Sequence, residues 1–181
     1  MRFLREDCLF VVIDVQEGIF HHLFKNDFFK KNIKILIKGM QILEIPMLFT
    51  EQYPKGLGST SQFIKDLFVW EFNAIEKNTF SCMFNEEFKS QLEKSNKKNI
   101  IIAGTETQVC ILQTAIDLKA KGYEVMVIED CVTSRKEEDK LIALKRLQQE
   151  GILLSSYESI LTELCIDAKT PEFKQILELI K

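Results

Sequence analysis

The sequence has few of the residues from which metal sites, disulfide frameworks and flexible linkers are built. Its 181 residues include two histidines, five cysteines, three prolines and seven glycines. An odd number of cysteines without a CxxC pair is typical of reduced intracellular thiols, not of a disulfide-stabilised secreted protein. No Pro-, Gly- or Ser-rich stretch divides the chain, so we expect a single domain over residues 1–181.

The chain also lacks a strong charge of one sign and long hydrophobic runs. A formal net charge of −3 and a pI of about 5.6 argue against a protein that binds the nucleic-acid backbone. Near the N-terminus, charged residues flank the apolar run Cys8–Ile13, which is too short for a signal peptide or a membrane span. We therefore predict a cytoplasmic protein that binds neither nucleic acid nor membranes.

Hydrophobic residues, 46% of the chain, are grouped in short segments of two kinds. Continuous runs rich in Val, Ile and Phe predict parallel strands that are buried on both faces. Apolar residues at helical spacing predict amphipathic helices between them, and this alternation predicts an open α/β sheet with right-handed crossovers. The predicted strands cover 8–15, 46–51, 73–77, 99–104, 123–130 and 152–156, and the helical patterns cover 33–43, 109–121, 135–150 and 171–180.

Residues at the helix ends give further local signals. Ser134 and Glu137 have the spacing of a capping box, and Gly151 follows the same predicted helix where a left-handed stop is needed. Thr170 followed by Pro171 predicts an N-cap and the first residue of the last helix.

In open parallel sheets, ligands bind beyond the carboxyl ends of the strands. Three residues with chemical potential lie at such ends: Asp14 after the first strand, Lys77 at the end of the third, and Cys110 six residues beyond Gly104. Each also has a purely structural interpretation, since Asp14 can cap a helix, Lys77 can be solvated and Cys110 can be an inert core residue.

Cys110 carries the strongest chemical prediction because it lies where a buried strand gives way to a helix. The positive end of a helix lowers a thiol pKa, and a nearby lysine lowers it further. A carboxylate such as Asp14 can accept the thiol proton, and free backbone N–H groups can hold an oxyanion. The remaining cysteines fit structural roles; these are Cys8, Cys82, Cys131 and Cys165.

These segments together resemble the isochorismatase-like cysteine hydrolases, which include nicotinamidases and N-carbamoyl amidohydrolases. The order of Asp, Lys and Gly-x-x-x-x-x-Cys, each after a core strand, carries the resemblance over residues 8 to about 160. The likeness is greatest to the metal-independent isochorismatase domain-containing subgroup. The matching segments are VVIDVQ at Asp14, TEQYPKGLG at 50–58, KNTFS at Lys77, GTETQVCILQTAIDL around Cys110, the SR then DK pattern at 134–140, and PEFKQILELIK at the C-terminus.

The resemblance implies a six-stranded parallel sheet of order 3-2-1-4-5-6 and a homo-oligomer, a dimer or larger. It also implies that Asp14 takes the proton of Cys110, that Lys77 stabilises charge, and that the N–H groups of Glu106 and Cys110 form an oxyanion hole after a cis Thr105–Glu106 peptide. The expected reaction is hydrolysis of a C–N bond in a small amide, ureide or imide through a thioester-type intermediate. Candidate substrate-binding residues are Gln16, Glu51, Gln52, Tyr53 and Phe80.

One departure from the family pattern concerns metals. Metal-bearing relatives carry Asp-x-His after the second strand, where this chain has Thr50-Glu51-Gln52-Tyr53. The two histidines, His21 and His22, are adjacent and do not face one site if they lie on a helix or strand. We therefore predict that the protein uses no metal and no other cofactor.

Two alternative functions are also compatible with the sequence. A catalytically silent protein on the same fold would keep the pocket and bind a small molecule without turnover. Another doubly wound protein, such as a flavodoxin-like or response-regulator domain, would need an acidic pair or a phosphate-binding loop after strand 1, where DVQEGIF offers Asp14 alone.

Overall fold

Strand β1 (Cys8–Ile13) runs through the middle of the sheet, and all of its side chains are buried. In the computed structural model, which describes residues 1–181, it pairs in parallel with a strand on either side. The sheet has six parallel strands in the order β3-β2-β1-β4-β5-β6, which confirms the predicted fold class and strand order. The other strands are β2 (Met47–Gln52), β3 (Ile75–Lys77), β4 (Asn99–Thr105), β5 (Glu124–Thr133) and β6 (Leu153–Ser155).

Nine α-helices connect the strands or follow the last of them, and none is long and apolar enough to cross a membrane. The helices are α1 (Glu17–Phe20), α2 (Asn26–Ile42), α3 (Pro54–Leu57), α4 (Gln62–Lys65), α5 (Glu86–Ser95), α6 (Leu112–Ala120), α7 (Glu137–Gln149), α8 (Tyr157–Cys165) and α9 (Pro171–Ile180).

The two faces of the sheet carry separate apolar cores because successive strand residues point to opposite sides. Along β1, Phe10 and Val12 pack with α2, α8 and α9, whereas Val11 and Ile13 pack with α5, α6 and α7. A fully buried side chain of this kind contributes about 1.5–3 kcal/mol, so covering both faces stabilises the sheet strongly. This two-sided burial explains why the strands are continuous apolar runs instead of alternating ones.

Helix α7 begins later than its sequence pattern predicts, and the predicted capping box does not form. Its N-cap is Lys136, which makes no side-chain capping bond. Strand β5 continues to Thr133, beyond the predicted end at 130, so Ser134 still belongs to the exit from the strand. The Ser134 hydroxyl is buried without a hydrogen-bond partner. The Ser134 backbone carbonyl accepts a hydrogen bond from the Phe24 N–H at 2.8 Å.

The two other predicted helix ends are confirmed. Thr170 caps α9 by accepting a hydrogen bond from the Phe173 N–H at 3.2 Å, and Pro171 is the first helical residue. Gly151 follows α7 with a positive φ of 75°, a conformation that glycine adopts without steric cost.

A wide π-helical turn, Thr107–Ile111, precedes α6 where the sequence pattern predicts an ordinary helix from 109 onwards. A π turn accommodates one more residue than an α turn, and such turns are frequent at functional sites. Cys110 therefore lies in a turn whose geometry differs from that of the helix following it.

The strand order reverses between β1 and β4. From β1 the chain continues through β2 and β3 to one edge of the sheet, and β4, β5 and β6 then extend to the other edge. At such a switch point the loops after the two strands diverge and leave a crevice at the carboxyl ends. Asp14 follows β1 and Cys110 follows β4, so the two residues lie on either side of this point.

Candidate active site

Asp14 lies directly after β1 and is fixed through both its backbone and its side chain. Its side chain is buried, and Oδ1 accepts a hydrogen bond from the Thr50 hydroxyl at 2.7 Å. The Asp14 N–H donates to the Thr50 carbonyl at 3.1 Å, and the Asp14 carbonyl accepts from the Thr105 hydroxyl at 2.7 Å. Residues of the neighbouring strands β2 and β4 thus hold the carboxylate in place.

Lys77 ends β3 and directs its ammonium group to Asp14. Nζ donates to Asp14 Oδ2 at 2.7 Å, to Gln52 Oε1 at 2.8 Å, and to the carbonyls of Thr79 and Phe80 at 3.2 Å each. Burial is the largest single influence and acts to lower the pKa of Lys77, but the charge and hydrogen bond of Asp14, together with the nearby sulfurs of Cys82 and Cys110, outweigh it and raise that pKa above its usual value. The lysine therefore remains a cation at neutral pH.

Cys110 completes the cluster from the π turn. Its Sγ lies 3.6 Å from Lys77 Nζ, and the residue is only 5% exposed. The three predicted residues Asp14, Lys77 and Cys110 are therefore brought together, with the lysine ammonium in contact with both the carboxylate and the thiol. A carboxylate, an ammonium and a thiol in this arrangement supply a base, a fixed positive charge and a nucleophile.

The pKa of the Cys110 thiol is raised, which is the opposite of the direction that the sequence predicts. Burial is the largest cause, and the nearby Asp14 carboxylate adds to it. Lys77 acts to lower the thiol pKa but does not compensate for these two effects. The positive helix end and the nearby lysine favour the thiolate, but the depth of burial, which the sequence does not reveal, has the larger effect. Cys110 is consequently a neutral thiol at rest.

The other four cysteines are buried and form no disulfide. Burial raises the pKa of the Cys8 thiol to about 12 and that of the Cys82 thiol to about 11. Burial also raises the pKa values of Cys131 and Cys165.

Gly104 allows β4 to pass close to β1 where both strands end. Its φ is +125°, and a Cβ atom at this position would lie 2.1 Å from the carbonyl oxygen of Ile13, which precedes Asp14. No side chain fits within that distance, so the close approach of the two strands depends on glycine.

The loop after β4 is anchored through Glu106. The Thr105–Glu106 peptide is cis, as the resemblance implies, and the Glu106 N–H donates no hydrogen bond within the protein. Glu106 Oε1 accepts from the Arg135 N–H at 3.1 Å, from Arg135 Nε at 3.0 Å and from Gln108 Nε2 at 3.2 Å. Burial acts to raise the pKa of the Glu106 carboxyl, but the Arg135 hydrogen bonds lower it below its usual value.

The predicted substrate-binding residues differ in their surroundings. Gln16 is fully buried, and its amide bonds to the backbone of Gln52 and Gly58. Glu51 Oε1 accepts from the N–H and hydroxyl of Thr60, at 2.6 Å and 2.7 Å. These two side chains connect the segment after β2 to the sheet, a structural role that the sequence did not predict.

The other three predicted substrate-binding residues lie beside the charged cluster, which we define as Asp14, Lys77 and Cys110. Gln52 bonds Lys77 through Oε1 and the Asn78 carbonyl through Nε2, at 3.0 Å. Tyr53 and Phe80 are 53% and 54% exposed. Both contact Lys77 through the backbone, since the Phe80 carbonyl accepts from Lys77 Nζ and the Tyr53 N–H donates to the Lys77 carbonyl at 2.9 Å.

Comparison with known proteins shows that the Isochorismatase domain family matches residues 8–159. The chain belongs to the isochorismatase family. It is 36% identical over 179 residues to isochorismatase domain-containing protein 2 of Danio rerio, a match that covers 99% of the chain and 89% of that protein. Membership of the isochorismatase family supports a hydrolase role.

Solved structures of the isochorismatase fold superpose closely on the chain. The MAR1 ribonuclease from Caenorhabditis elegans gives a TM-score of 0.92 at 32% identity, covering 99% of this chain and 92% of that one. The YcaC gene product of Escherichia coli, described as an octameric hydrolase of unknown specificity, gives a TM-score of 0.92 at 23% identity. That match covers 99% of this chain and 90% of that one, and it shows the fold alone.

Two residues of this isochorismatase-family site have roles that the sequence did not predict. Thr50 was considered only in connection with metal ligands, yet its hydroxyl holds Asp14. Arg135 was noted as part of a family pattern without a role, yet it binds Glu106. The position of Arg135 just beyond the carboxyl end of β5 is the signal that points to it.

A cavity of about 790 Å³ opens beside Glu106 at the same end of the sheet. Its walls come from the segments after β1, β2, β4 and β5. The lining residues are Gly18, Ile19, His22, Leu57, Glu106, Arg135, Lys136 and Asp139. The structure contains no group of three or more His, Cys, Asp or Glu side chains that could hold a metal ion. The absence of a metal and of any other cofactor remains a prediction.

Proposed function

We propose that this member of the isochorismatase family is a cysteine-dependent hydrolase that cleaves a C–N bond of a small amide, ureide or imide. The observation that carries the proposal is the position of the Lys77 ammonium, 2.7 Å from the Asp14 carboxylate and 3.6 Å from Cys110 Sγ. Burying a lysine and a carboxylate together costs several kcal/mol of desolvation per ion. Such a buried pair beside a thiol is typical of a reactive site rather than of a stabilising surface contact.

In the first half of the proposed reaction, Asp14 accepts the Cys110 proton as Sγ attacks the carbonyl carbon of the substrate. The carbonyl oxygen becomes an oxyanion, which the N–H groups of Glu106 and Cys110 stabilise. When the C–N bond breaks, protonated Asp14 gives its proton to the leaving nitrogen. An acyl group, or a carbamoyl group from a ureide, then remains on Cys110 as a thioester-type intermediate, and the leaving nitrogen departs as neutral ammonia, an amine or, from an imide, an amide.

In the second half, Asp14 takes a proton from water as the water oxygen attacks the thioester carbonyl. The C–S bond breaks, the acid product leaves, and the Cys110 sulfur takes the proton back from Asp14. Lys77 keeps its positive charge throughout, since its pKa is raised, and stabilises the negative charge that develops on the sulfur in each half. A resting thiol with a high pKa suits this scheme, because deprotonation and attack then occur together.

The substrate is a small neutral molecule in this proposal. Cys110 is only 5% exposed, which favours a compact carbonyl group over a polymer. Tyr53 and Phe80, whose backbones bond Lys77, have half-exposed rings that could contact such a substrate. We further propose that the protein is cytoplasmic and assembles as a homo-oligomer, a dimer or larger; the related fold of the Escherichia coli YcaC gene product is described as octameric.

The test is to screen small amides, ureides and imides and to trap the acyl-enzyme by rapid acid quench and mass spectrometry. The expected result is an acyl adduct on Cys110 that hydroxylamine removes. The matched control is Cys165→Ala, which deletes a buried thiol on the opposite face of the sheet and should retain the adduct. Turnover without any adduct on Cys110 contradicts the covalent route, and binding without turnover favours a silent binding protein.

Arg135 is expected to position the oxyanion-hole loop, since it supplies two of the three hydrogen bonds to Glu106. Only the side-chain bond is lost in Arg135→Met, because the other bond comes from the backbone. We expect this variant to lower kcat roughly 10-fold or more with little change in KM, since an oxyanion-hole donor acts in the transition state. Steady-state kinetics on a substrate from the screen measures this split.

The matched control for Arg135→Met is Arg146→Met. Arg146 also has a carboxylate partner, Glu150, but lies on the exposed part of α7. The Arg146→Met variant should leave both kcat and KM unchanged. A rise in KM alone for Arg135→Met would show that Arg135 binds substrate directly and does not act through Glu106.

A further inference from the structure

A second cavity lies at the end of the sheet opposite the charged cluster, where β2 and β3 begin. Its volume is about 530 Å³, within the range of ligand-binding pockets. Its lining combines aromatic rings with carboxylates; the residues that matter here are Phe49, Phe68, Trp70, Phe72, Glu44 and Glu71. None of the residues of the proposed hydrolase reaction lines this cavity.

The four rings form one connected cluster. Phe49, which is buried, has its ring centroid 5.4 Å from that of Phe68 and 4.9 Å from that of Phe72. Phe68 lies 5.6 Å from Trp70 and 5.5 Å from Phe72, with the rings tilted or edge-on. Tilted rings around a cavity present several faces and edges toward one volume. Trp70 is 63% exposed and forms the rim.

The charge around these rings is negative. No lysine or arginine lines the cavity, whereas Glu44 and Glu71 both do. Glu44 forms an ion pair with Arg5 at 3.2 Å, and Glu71 takes part in no ion pair. A ligand that brings a positive charge would therefore be favoured electrostatically, and an anion would be repelled.

The protein's own cations do not cover these four rings. Elsewhere, lysine ammonium groups lie over aromatic rings: Lys25 lies 4.9 Å from the Phe24 centroid and Lys30 lies 5.1 Å from the Phe63 centroid. The rings of the second cavity have no such partner. Ring faces attract cations, and several faces around one volume suit an alkylated ammonium group, whose charge is spread and weakly hydrated.

We propose that this cavity binds a small organic cation that carries a quaternary or otherwise alkylated ammonium group. The rings contact the alkyl groups and attract the charge, and Glu71 supplies the opposite charge at the edge. The apolar rings offer no oxygen ligands in the number that a bare metal cation needs. The site is independent of the proposed hydrolase reaction, so either proposal can fail without the other.

Trp70 provides the readout because it is the only tryptophan in the chain. The full-length protein is titrated with choline and, separately, with 3,3-dimethyl-1-butanol, which has the same shape with a neutral carbon in place of the nitrogen. We expect a saturable change in Trp70 emission with choline and about a tenfold weaker response with the neutral alcohol, as the charge–ring attraction predicts. An equal response to both compounds, or none to choline, overturns the proposal.

Substitutions in the second cavity test whether choline binds there, and a matched control tests for effects on folding. Glu71→Gln keeps the shape and removes the charge, and it should raise the apparent dissociation constant for choline several-fold. Phe72→Leu should do the same, with circular dichroism used to check that it folds. The matched control is Glu93→Gln, which neutralises an exposed carboxylate on α5 and should change nothing. If Glu71→Gln binds choline like the wild type, the proposal is wrong.

Discussion

Replacing Asp14 with Asn is expected to lower turnover by about 10²–10⁴-fold, the usual contribution of a general base, while making Cys110 easier to alkylate at neutral pH. The two effects have opposite directions because Asp14 has two consequences for the thiol. In the proposed reaction it accepts the proton during attack, but at rest its negative charge raises the pKa of Cys110. Without that charge, Lys77 remains 3.6 Å from Sγ and favours the thiolate.

The measurement pairs steady-state turnover with the rate of iodoacetamide labelling of Cys110, read by peptide mass mapping. In the wild type, labelling should keep rising with pH up to about pH 10 without a plateau, since the thiol pKa is raised. Asp14→Asn should label several-fold faster at pH 7.5. A Cys110→Ala/Asp14→Asn double variant should be no less active than Cys110→Ala alone, because residues that act as a unit are not additive. Slower labelling in Asp14→Asn would indicate that Asp14 already holds the proton at rest, against the scheme above.

Replacing Lys77 with Met is expected to lower the free energy of unfolding by about 3–5 kcal/mol, the cost of leaving one member of a buried ion pair without its partner. The Lys77 side chain has no accessible surface, and that of Asp14 is 5% exposed. The variant leaves the Asp14 carboxylate with the Thr50 hydroxyl as its remaining side-chain donor. Urea denaturation with a constant m-value measures the loss.

Lys119→Met is the matched control, since Lys119 also forms an ion pair, with Glu124 at 2.8 Å, but both side chains are 34% exposed. Exposed pairs contribute about 1 kcal/mol at most, so this variant should be only slightly destabilised. The double variant Asp14→Asn/Lys77→Met should recover part of the loss, because it removes the unpaired charge. Equal effects of Lys77→Met and Lys119→Met would mean that the buried pair is not specially coupled.

The strands could be predicted well from the sequence because burial on both faces leaves a direct signature. Strands β1 and β4 are continuous apolar runs, and their ends were predicted to within two residues. Helix α5 was missed because its composition is dominated by charges, and it buries only Phe88 and Leu92. The end of β5 was predicted too early because Glu129 and Asp130 are polar residues within a strand that continues to Thr133.

For the site, the sequence indicates which residues lie together but not how their contacts change the pKa values of their side chains. Strand ends placed Asp14, Lys77 and Cys110 at one edge, and their contacts agree with that expectation. The raised pKa of Cys110 depends on burial and on through-space charge, which neither spacing nor a helix end reveals. The contact between Arg135 and Glu106 joins residues 29 positions apart, and hydrophobic periodicity contains no information about such polar pairs.

The neutral state of the buried thiols has a consequence for the survival of the protein under oxidative conditions. Peroxides attack thiolates far more readily than thiols, and accessibility limits the reaction further. All five cysteines are buried, and all five have raised pKa values. In the proposed reaction Cys110 is deprotonated only as it attacks, so we expect it to be shielded from irreversible sulfinic and sulfonic acid formation between turnovers, whereas a permanently ionised thiol would be exposed to that oxidation.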